Sequence, residues 1–343
     1  MKYELTNESM INADGKKLFR IKALVDIEEY GVKAGDLGGW IEKEDNLSQS
    51  GNAWIFGEAK VYDDAQVSSD AMVSDDANIS GAAKVYGNAG VYGNTEVYGD
   101  AMVSGDANVS GAAKVYGNAE VSGDACVSGS AKVYGDTKVS GSAWVYGSAK
   151  VYGDAKVYGD AQVYGDAWVY GDAQVYGDAW VYGDAKVYGD TKVSGSAWVY
   201  GSAKVSSNAW VYGSAKVYGD AWVSGDAWVY GSAKVSGSAW VYGDAEVSGD
   251  AEVSGSAKVS GSAKVSGDAD YAVIKGFGTE YRPTTFFRCR DGEARVICGC
   301  FYGTIAEFRE QVKQTRNGKV ADEYLKIADL MEYHFKEDSG ING

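Results

Sequence analysis

Several residue types are scarce in this chain of 343 residues, and each scarcity excludes a class of protein. There is one proline, Pro283, and one histidine, His334. A single histidine excludes a His-rich metal site and leaves one place at most for a histidine-dependent triad. The four cysteines are too few and too unevenly spaced for a disulfide framework, which favours a reducing compartment.

Basic residues are also scarce. The chain has 32 Lys and Arg against 48 Asp and Glu, a formal net charge of −16. This balance argues against direct nucleic-acid binding, which needs clustered basic side chains. No apolar run approaches the roughly 18 residues of a membrane span, and the first residues contain no apolar signal core. We therefore expect a soluble, cytoplasmic protein without membrane contact.

What the chain does contain is a six-residue repeat. An aliphatic residue recurs at every sixth position from Ile55 to Val265, giving 36 consecutive hexads without an insertion. Alanine stands four positions after each aliphatic residue, except where it is replaced by Thr95, Thr137 or Thr191. Self-similarity at a fixed period is typical of solenoids.

One hexad shows why stacking follows. In Ala155-Lys156-Val157-Tyr158 the small and aliphatic residues fall on one face of a strand, and Lys and Tyr fall on the other. Gly159-Asp160 then supplies a turn, since Gly tolerates a positive φ. Four residues bury nothing alone, but stacked units form a continuous core in which each aliphatic side chain contributes about 1.5–3 kcal/mol.

An aliphatic residue followed four positions later by a small one, repeated in sixes, resembles the hexapeptide repeat of left-handed parallel β-helix proteins. The resemblance covers about residues 51–270. It implies a mainly β, triangular solenoid with three hexads per coil and therefore about 12 coils, and it implies a trimer, the common assembly of such families. A two-sided solenoid with two hexads per coil is the structural alternative.

Residues 1–50 are predicted to form an N-terminal cap. Leu18–Val25 is expected to be a strand, and Ile41 and Leu47 lead into the repeat with imperfect six-residue spacing. This segment is similar to the start of bacterial hexapeptide proteins that are named acetyltransferases by homology.

Residues 271–343 are predicted to form a ββαα module. Segments 284–290 and 293–300 flank Asp291-Gly292, which indicates a hairpin with a two-residue turn. Thr304 and Glu307 form a capping box that opens a helix, and 321–335 is a second helical segment. The module resembles the C-terminal part of prophage-encoded hexapeptide-repeat proteins, which implies a phage or prophage origin.

If a coil has 18 residues, outward aromatic side chains form columns. Stacking stabilises a solenoid by itself, but exposed aromatic surfaces also bind sugars or proteins. We predict a protein or glycan partner for a surface formed by Trp180, Trp198, Trp210, Trp228, Trp222, Trp240, Tyr152, Tyr170 and Tyr188.

A second predicted column is acidic and consists of Asp136, Asp154, Asp172 and Asp190. Lysines two residues further on, such as Lys138, are expected to offset its repulsion partly. Residues 51–270 contain 27 acidic residues, 14 lysines and no arginine. An acidic decoy that mimics DNA is therefore one alternative function, and cation binding along this edge is another.

Catalysis is disfavoured. The resemblance implies an acyltransferase alternative with a histidine base and loops between coils, but residues 51–270 contain neither. Cys289, Cys298, Cys300 and His334 could in principle bind zinc, yet a two-residue turn would pair Cys289 near Ala294, away from Cys298. We predict a non-enzymatic rigid scaffold that presents its columns to a partner, with no catalytic residue, cofactor or metal.

Overall fold

Residues that stand 18 apart pair with one another in parallel strands, as Val133 pairs with Val151 and Val217 with Val235. The computed structural model describes residues 1–336, which fall into two compact units, unit 1 from Met1 to Tyr188 and unit 2 from Gly189. Three hexads therefore make one coil in each unit. The two-sided alternative would pair residues 12 apart and is excluded.

Unit 1 contains three sheets, to which successive hexads contribute in turn. Sheet 1 consists of Tyr3–Ile11, Lys17–Ala23, Leu37–Ile41, Lys60–Val61, Asn78–Ile79, Glu96–Gly99, Lys114–Gly117, Lys132–Gly135, Lys150–Gly153, Trp168–Tyr170 and Lys186–Tyr188. Sheet 2 consists of Trp54–Ile55, Met72–Val73, Gly90–Val91, Asn108–Val109, Cys126–Val127, Trp144–Val145, Gln162–Val163 and Trp180–Val181. Sheet 3 consists of Gln66–Val67, Lys84–Val85, Met102–Val103, Glu120–Val121, Lys138–Val139, Lys156–Val157 and Gln174–Val175.

Unit 2 repeats this arrangement and adds an antiparallel sheet. Sheet 4 consists of Lys204–Val205, Trp222–Val223, Trp240–Val241 and Lys258–Val259. Sheet 5 consists of Trp198–Val199, Lys216–Val217, Lys234–Val235 and Glu252–Val253. Sheet 6 consists of Lys192–Val193, Trp210–Val211, Trp228–Val229, Glu246–Val247 and Lys264–Val265. Sheet 7 consists of Tyr271–Ile274, Thr284–Arg288, Ala294–Cys298 and Phe301–Thr304.

The core of both units is formed by the inward aliphatic and alanine positions, which are fully buried, as Val151 and Ala155 illustrate. Most strands are two residues long, shorter than the four-residue strand predicted, because each hexad turns at once. Gly153 adopts a φ of 76°, and a Cβ there would lie 3.0 Å from the backbone nitrogen of Gly171 in the next coil. Glycine therefore serves both the turn and the close stacking of coils.

Threonine in place of the inward alanine is accommodated by a local hydrogen bond. The Thr137 hydroxyl donates to the Tyr134 carbonyl at 2.8 Å, and the Thr95 hydroxyl donates to the Tyr92 carbonyl at 2.6 Å. Both side chains are fully buried. A buried hydroxyl with a partner avoids the desolvation penalty of an unpaired one.

The N-terminal cap contains a strand that the sequence did not predict. Tyr3–Ile11 pairs antiparallel with Lys17–Ala23, the strand expected at 18–25. The lead-in then joins the solenoid with a different offset: Ile41 pairs with Val61, 20 residues away, and Leu47 bridges to Val67. The imperfect spacing thus forms a partial coil before the first regular hexads. Two 3₁₀ turns, Glu28–Tyr30 and Glu44–Asn46, lie within the cap.

The C-terminal module differs from the ββαα prediction. Its sheet has four antiparallel strands, because Tyr271–Ile274 and Phe301–Thr304 flank the predicted hairpin. A 3₁₀ turn, Asp268–Asp270, precedes the sheet. The helices are α1, Ile305–Thr315, with the predicted Thr304 capping box, and α2, Gly318–Phe335, which starts before the predicted residue 321.

The hairpin turn is also longer than predicted. Arg288 pairs with Ala294, and the Cys289 amide donates to the Glu293 carbonyl at 2.9 Å, so three residues form the loop. Gly292 takes a φ of 82° at its last position. The prediction of a two-residue turn with Cys289 near Ala294 was therefore wrong by one residue. Within residues 1–336 no helix is long and apolar enough to cross a membrane.

Candidate binding surface

Each hexad exposes two outward positions, and pairing at 18-residue intervals turns each position into a column. The longest aromatic column runs along sheet 1 and will be called the tyrosine column; it contains Tyr98, Tyr116, Tyr134, Tyr152, Tyr170 and Tyr188. Neighbouring ring centroids are 4.8–5.0 Å apart and interplanar angles do not exceed 4°. This spacing equals the distance between hydrogen-bonded strands, so the backbone dictates the stack.

Stacking decides which part of each tyrosine meets solvent. Along the column each inner ring has a neighbour above and below, so partners approach the ring edges rather than the ring faces. The rings are half-buried, and desolvation raises the pKa of Tyr116 and Tyr152 above the usual value. Shorter columns show the same geometry: Tyr146–Tyr164–Tyr182 and Tyr158–Tyr176 in unit 1, Tyr200–Tyr218 and Tyr212–Tyr230 in unit 2.

The predicted tryptophans of unit 2 lie at the outward strand positions. Trp210 and Trp228 stack with centroids 5.5 Å apart and planes 8° apart, whereas Trp222 and Trp240 meet at 64° with centroids 5.3 Å apart. Trp210, Trp228 and Trp240 remain 37%, 42% and 42% exposed. Exposed side chains of this size are the usual anchors of protein interfaces.

Lysines cover the faces of these tryptophans. The Lys192 ammonium lies 4.3 Å from the Trp210 ring centroid, and the Lys258 ammonium lies 5.3 Å from that of Trp240. In unit 1, Lys150 and Lys186 lie on Trp168 at 4.3 and 4.9 Å. The sequence held a signal for these cation–π contacts, since each lysine stands 18 residues from its tryptophan.

Trp180 and Trp198 belong to different units, and their predicted pairing stays a prediction. Within unit 1, Trp180 meets the edge of Tyr164 at 6.2 Å, and within unit 2, Trp198 meets Tyr200 at 6.5 Å. The most exposed tryptophan, Trp144 at 50%, was not among the predicted residues because neither residue 18 positions away is aromatic.

The predicted acidic column is exposed in both units. Asp136, Asp154 and Asp172 lie in successive coils of unit 1, and Asp190 lies in unit 2. Asp136 accepts a hydrogen bond from the Asn118 side chain at 2.6 Å. The expected lysine compensation takes another form, because Lys138 pairs with Glu120 at 3.1 Å instead of with Asp136.

The cysteines are dispersed within the C-terminal module. Cys289 is buried at one end of its strand, whereas Cys298 pairs with Thr284 at the other end and Cys300 is exposed. His334 is exposed on α2, with Nε2 3.0 Å from the Ala269 carbonyl. Among residues 1–336 no group of three or more His, Cys, Asp or Glu side chains has a geometry that could hold a metal ion.

These features define a β-solenoid repeat protein with a rigid, regularly ribbed surface. A family model described as "YdcK Beta solenoid repeat" matches residues 161–177 and 173–189, which carry Tyr164, Tyr170, Tyr176, Tyr182 and Tyr188. The chain is similar to that family over these segments. No curated protein sequence matches the chain.

Proposed function

We propose that this protein is a non-enzymatic scaffold whose exposed tryptophans in unit 2 bind a protein partner. The observation that carries the proposal is the exposure of Trp210, Trp228 and Trp240 on a fully buried, repetitive core. The core fixes the position of each ring, so little conformational entropy is lost when a partner covers it. Tryptophan is among the residues most enriched at the centres of interfaces.

A protein suits this surface better than the glycan that the sequence also suggested. A sugar stacks on an open aromatic face, but Lys192 covers one face of Trp210 and Trp228 covers another. What remains accessible is a row of ring edges. Apolar side chains of a protein pack between such edges, and acidic groups of this chain attract a partner with a basic rim.

The proposal is tested with a paired variant. Trp210→Gln with Trp228→Gln removes the stacked pair and inserts a residue that the repeats carry at the same position in Gln66 and Gln174. A partner is first recovered on immobilised wild-type protein and identified by mass spectrometry, and its Kd is then measured with purified components. We expect the double variant to raise Kd at least about 30-fold.

Trp168→Gln is the matched control. It makes the same chemical change at a tryptophan whose ring lies between two lysines, and it should leave Kd within about threefold. Equal affinity of wild-type and the double variant would contradict the proposal. An equal loss in the control variant would also contradict it, because the effect would then not belong to unit 2.

The acidic decoy is weaker on charge density. Residues 51–270 carry 27 acidic residues and 14 lysines in three-hexad coils, which amounts to about one net negative charge per coil. Duplex DNA carries about three charges over the same ~4.8 Å. A decoy would compete with DNA in a manner that weakens steeply with salt, and salt-independent competition would count against it.

Three further properties belong to this proposal and are supported by the resemblance alone: a phage or prophage origin, a cytoplasmic location and a trimeric state. Analytical ultracentrifugation tests the trimer, and genomic neighbours test the origin. The acyltransferase alternative predicts calorimetric binding of acetyl-CoA, and the repeats, which contain no histidine, offer no base for it. A flat titration would remove that alternative.

A further inference from the structure

The outward position that forms the tyrosine column has a gap near its N-terminal end. Tyr62 occupies this position in one coil, Ser80 in the next and Tyr98 in the one after. Tyr98 stacks on Tyr116 at 4.8 Å. Within residues 1–336 no aromatic ring lies against its other face, which points towards Ser80 in the direction of the column.

A cavity of about 500 Å³ occupies this place. The turn of the N-terminal hairpin, from Met10 to Asp14, covers it on one side, while Lys60, Tyr62, Ser80 and Tyr98 line the solenoid side. Other serines that interrupt aromatic columns, such as Ser122, lie far along the chain from this hairpin. The volume falls in the range of small-molecule sites, about 300–1,000 Å³.

The dimensions fit one ring. Successive residues of the tyrosine column are separated by 4.8–5.0 Å, so replacing one tyrosine by serine leaves a space one ring thick. An aromatic ring at that level would lie against Tyr98 at the separation that aromatic pairs prefer, about 4.5–7 Å. Tyr62 closes the opposite end, where it packs with Leu18 and Trp40.

The charges at the cavity select the polarity of the ligand. The Asp14 carboxylate accepts a hydrogen bond from the Tyr62 hydroxyl at 2.7 Å, and in the described part of the chain no cationic side chain pairs with it. Glu96 also lines the cavity, but it is bound to Lys114 at 2.7 Å. Lys60 donates to the Glu58 carbonyl at 3.2 Å. Asp14 therefore remains available for a ligand cation.

We propose that this cavity binds a small aromatic amine: the ring fills the level left by Ser80 and stacks on Tyr98, and the ammonium group pairs with Asp14. The proposal does not depend on the tryptophan surface of unit 2. It assigns a ligand site to the N-terminal hairpin, whose turn supplies the carboxylate.

The test uses tyramine as the probe and calorimetry of the full-length protein. Ser80→Tyr fills the vacant level with the residue that the column carries at Tyr98 and Tyr116, so the variant should fold. Tyramine should bind the wild-type protein and should bind Ser80→Tyr at least about tenfold more weakly. Ser122→Tyr, a serine at the equivalent strand-end position of sheet 3, is the matched control and should bind like wild-type.

Two further measurements separate stacking from charge. Ser80→Ala keeps the cavity open and should retain tyramine affinity within about threefold, whereas Asp14→Asn should weaken it about tenfold. 4-Hydroxyphenylacetate, which has the same ring and an opposite charge, should bind more weakly than tyramine. Absence of tyramine binding to wild-type, or unchanged affinity in Ser80→Tyr with native circular dichroism, would overturn the proposal.

Discussion

Lys2 is the buried charge of the N-terminal cap, and it makes the stability of unit 1 depend on pH in a direction that can be measured. Its side chain is 5% exposed, and Nζ donates to the Ala53 carbonyl at 2.7 Å. Burial lowers the pKa of Lys2 from 10.5 to about 8, and attraction to Asp70 opposes the shift only partly. The charged form is therefore disfavoured in the folded protein.

The sign and size follow from linkage. Below pH 8 Lys2 is protonated in both states, and the folded state carries the full penalty, about 3 kcal/mol for a shift of this size. As pH rises through 8 the folded side chain becomes neutral first, so the penalty decreases, and it vanishes above 10.5. Between pH 7 and pH 9.5 the wild-type protein should gain about 2 kcal/mol of unfolding free energy from this group.

The assay is urea unfolding of wild-type and Lys2→Met at both pH values. Methionine keeps the aliphatic stem and removes the titrating group, so the variant should lack the gain of about 2 kcal/mol. Lys84→Met is the control, because Lys84 is exposed and methionine occurs at the equivalent position, Met102. If Lys2→Met and wild-type respond equally to pH, the buried-charge reasoning is refuted.

Three other predictions concern the repeats. Gly153→Ala should lower the melting temperature more than Gly255→Ala, since both have positive φ, but only the first Cβ would press on Gly171, 3.0 Å from its nitrogen; equal effects would argue against tight stacking of coils. Thr137→Ala should change stability by less than about 1 kcal/mol, because hydroxyl and hydrogen-bond partner are lost where the repeats carry alanine; a large loss in urea unfolding would contradict this. Burial and Asp14 raise the pKa of Tyr62 to about 12, so absorbance titration should show tyrosines that ionise above the usual 10, and stability should fall above pH 10 because unfolded tyrosine ionises first.

The repeat part of the fold could be predicted from sequence because one signal recurs in every hexad. Val151 and Ala155 have the same environment as their counterparts in other coils, so one assignment extends to the rest, and 18-residue pairing then places the tyrosine column. The prediction of strand length was less accurate, because the positive φ at Gly153 shortens the strand in a way that alternation alone does not indicate.

The capping regions lacked such repetition. Tyr3–Ile11 is mostly polar and forms an edge strand, so it carries little alternation, and Tyr271–Ile274 is only four residues long. The loop around Asp291-Gly292 required a choice between two-residue and three-residue turns, which the same dipeptide permits. The cavity at Ser80 was missed for the same reason, because the hairpin that covers it was not predicted.

Lysine contacts with tryptophan were missed for a different reason. A long side chain has many rotamers, and sequence spacing places Lys192 beside Trp210 without determining whether its ammonium lies over the ring or in solvent. The same uncertainty applies to Lys138, which pairs with Glu120 rather than with Asp136. Column membership was therefore predictable, but the contacts within a column were not.

The central claim is that residues 18 apart lie next to each other on one face, and disulfide trapping tests it directly. Ser110 and Ser128 are adjacent in sheet 2, where Val109 pairs with Val127, so cysteines at both positions should lie within the 4.4–6.8 Å Cα separation of a disulfide. In a Cys126→Ser background, mild oxidation followed by mass spectrometry should detect the 110–128 bond and no bond between cysteines at 110 and 122. A 110–122 bond without a 110–128 bond would contradict the account.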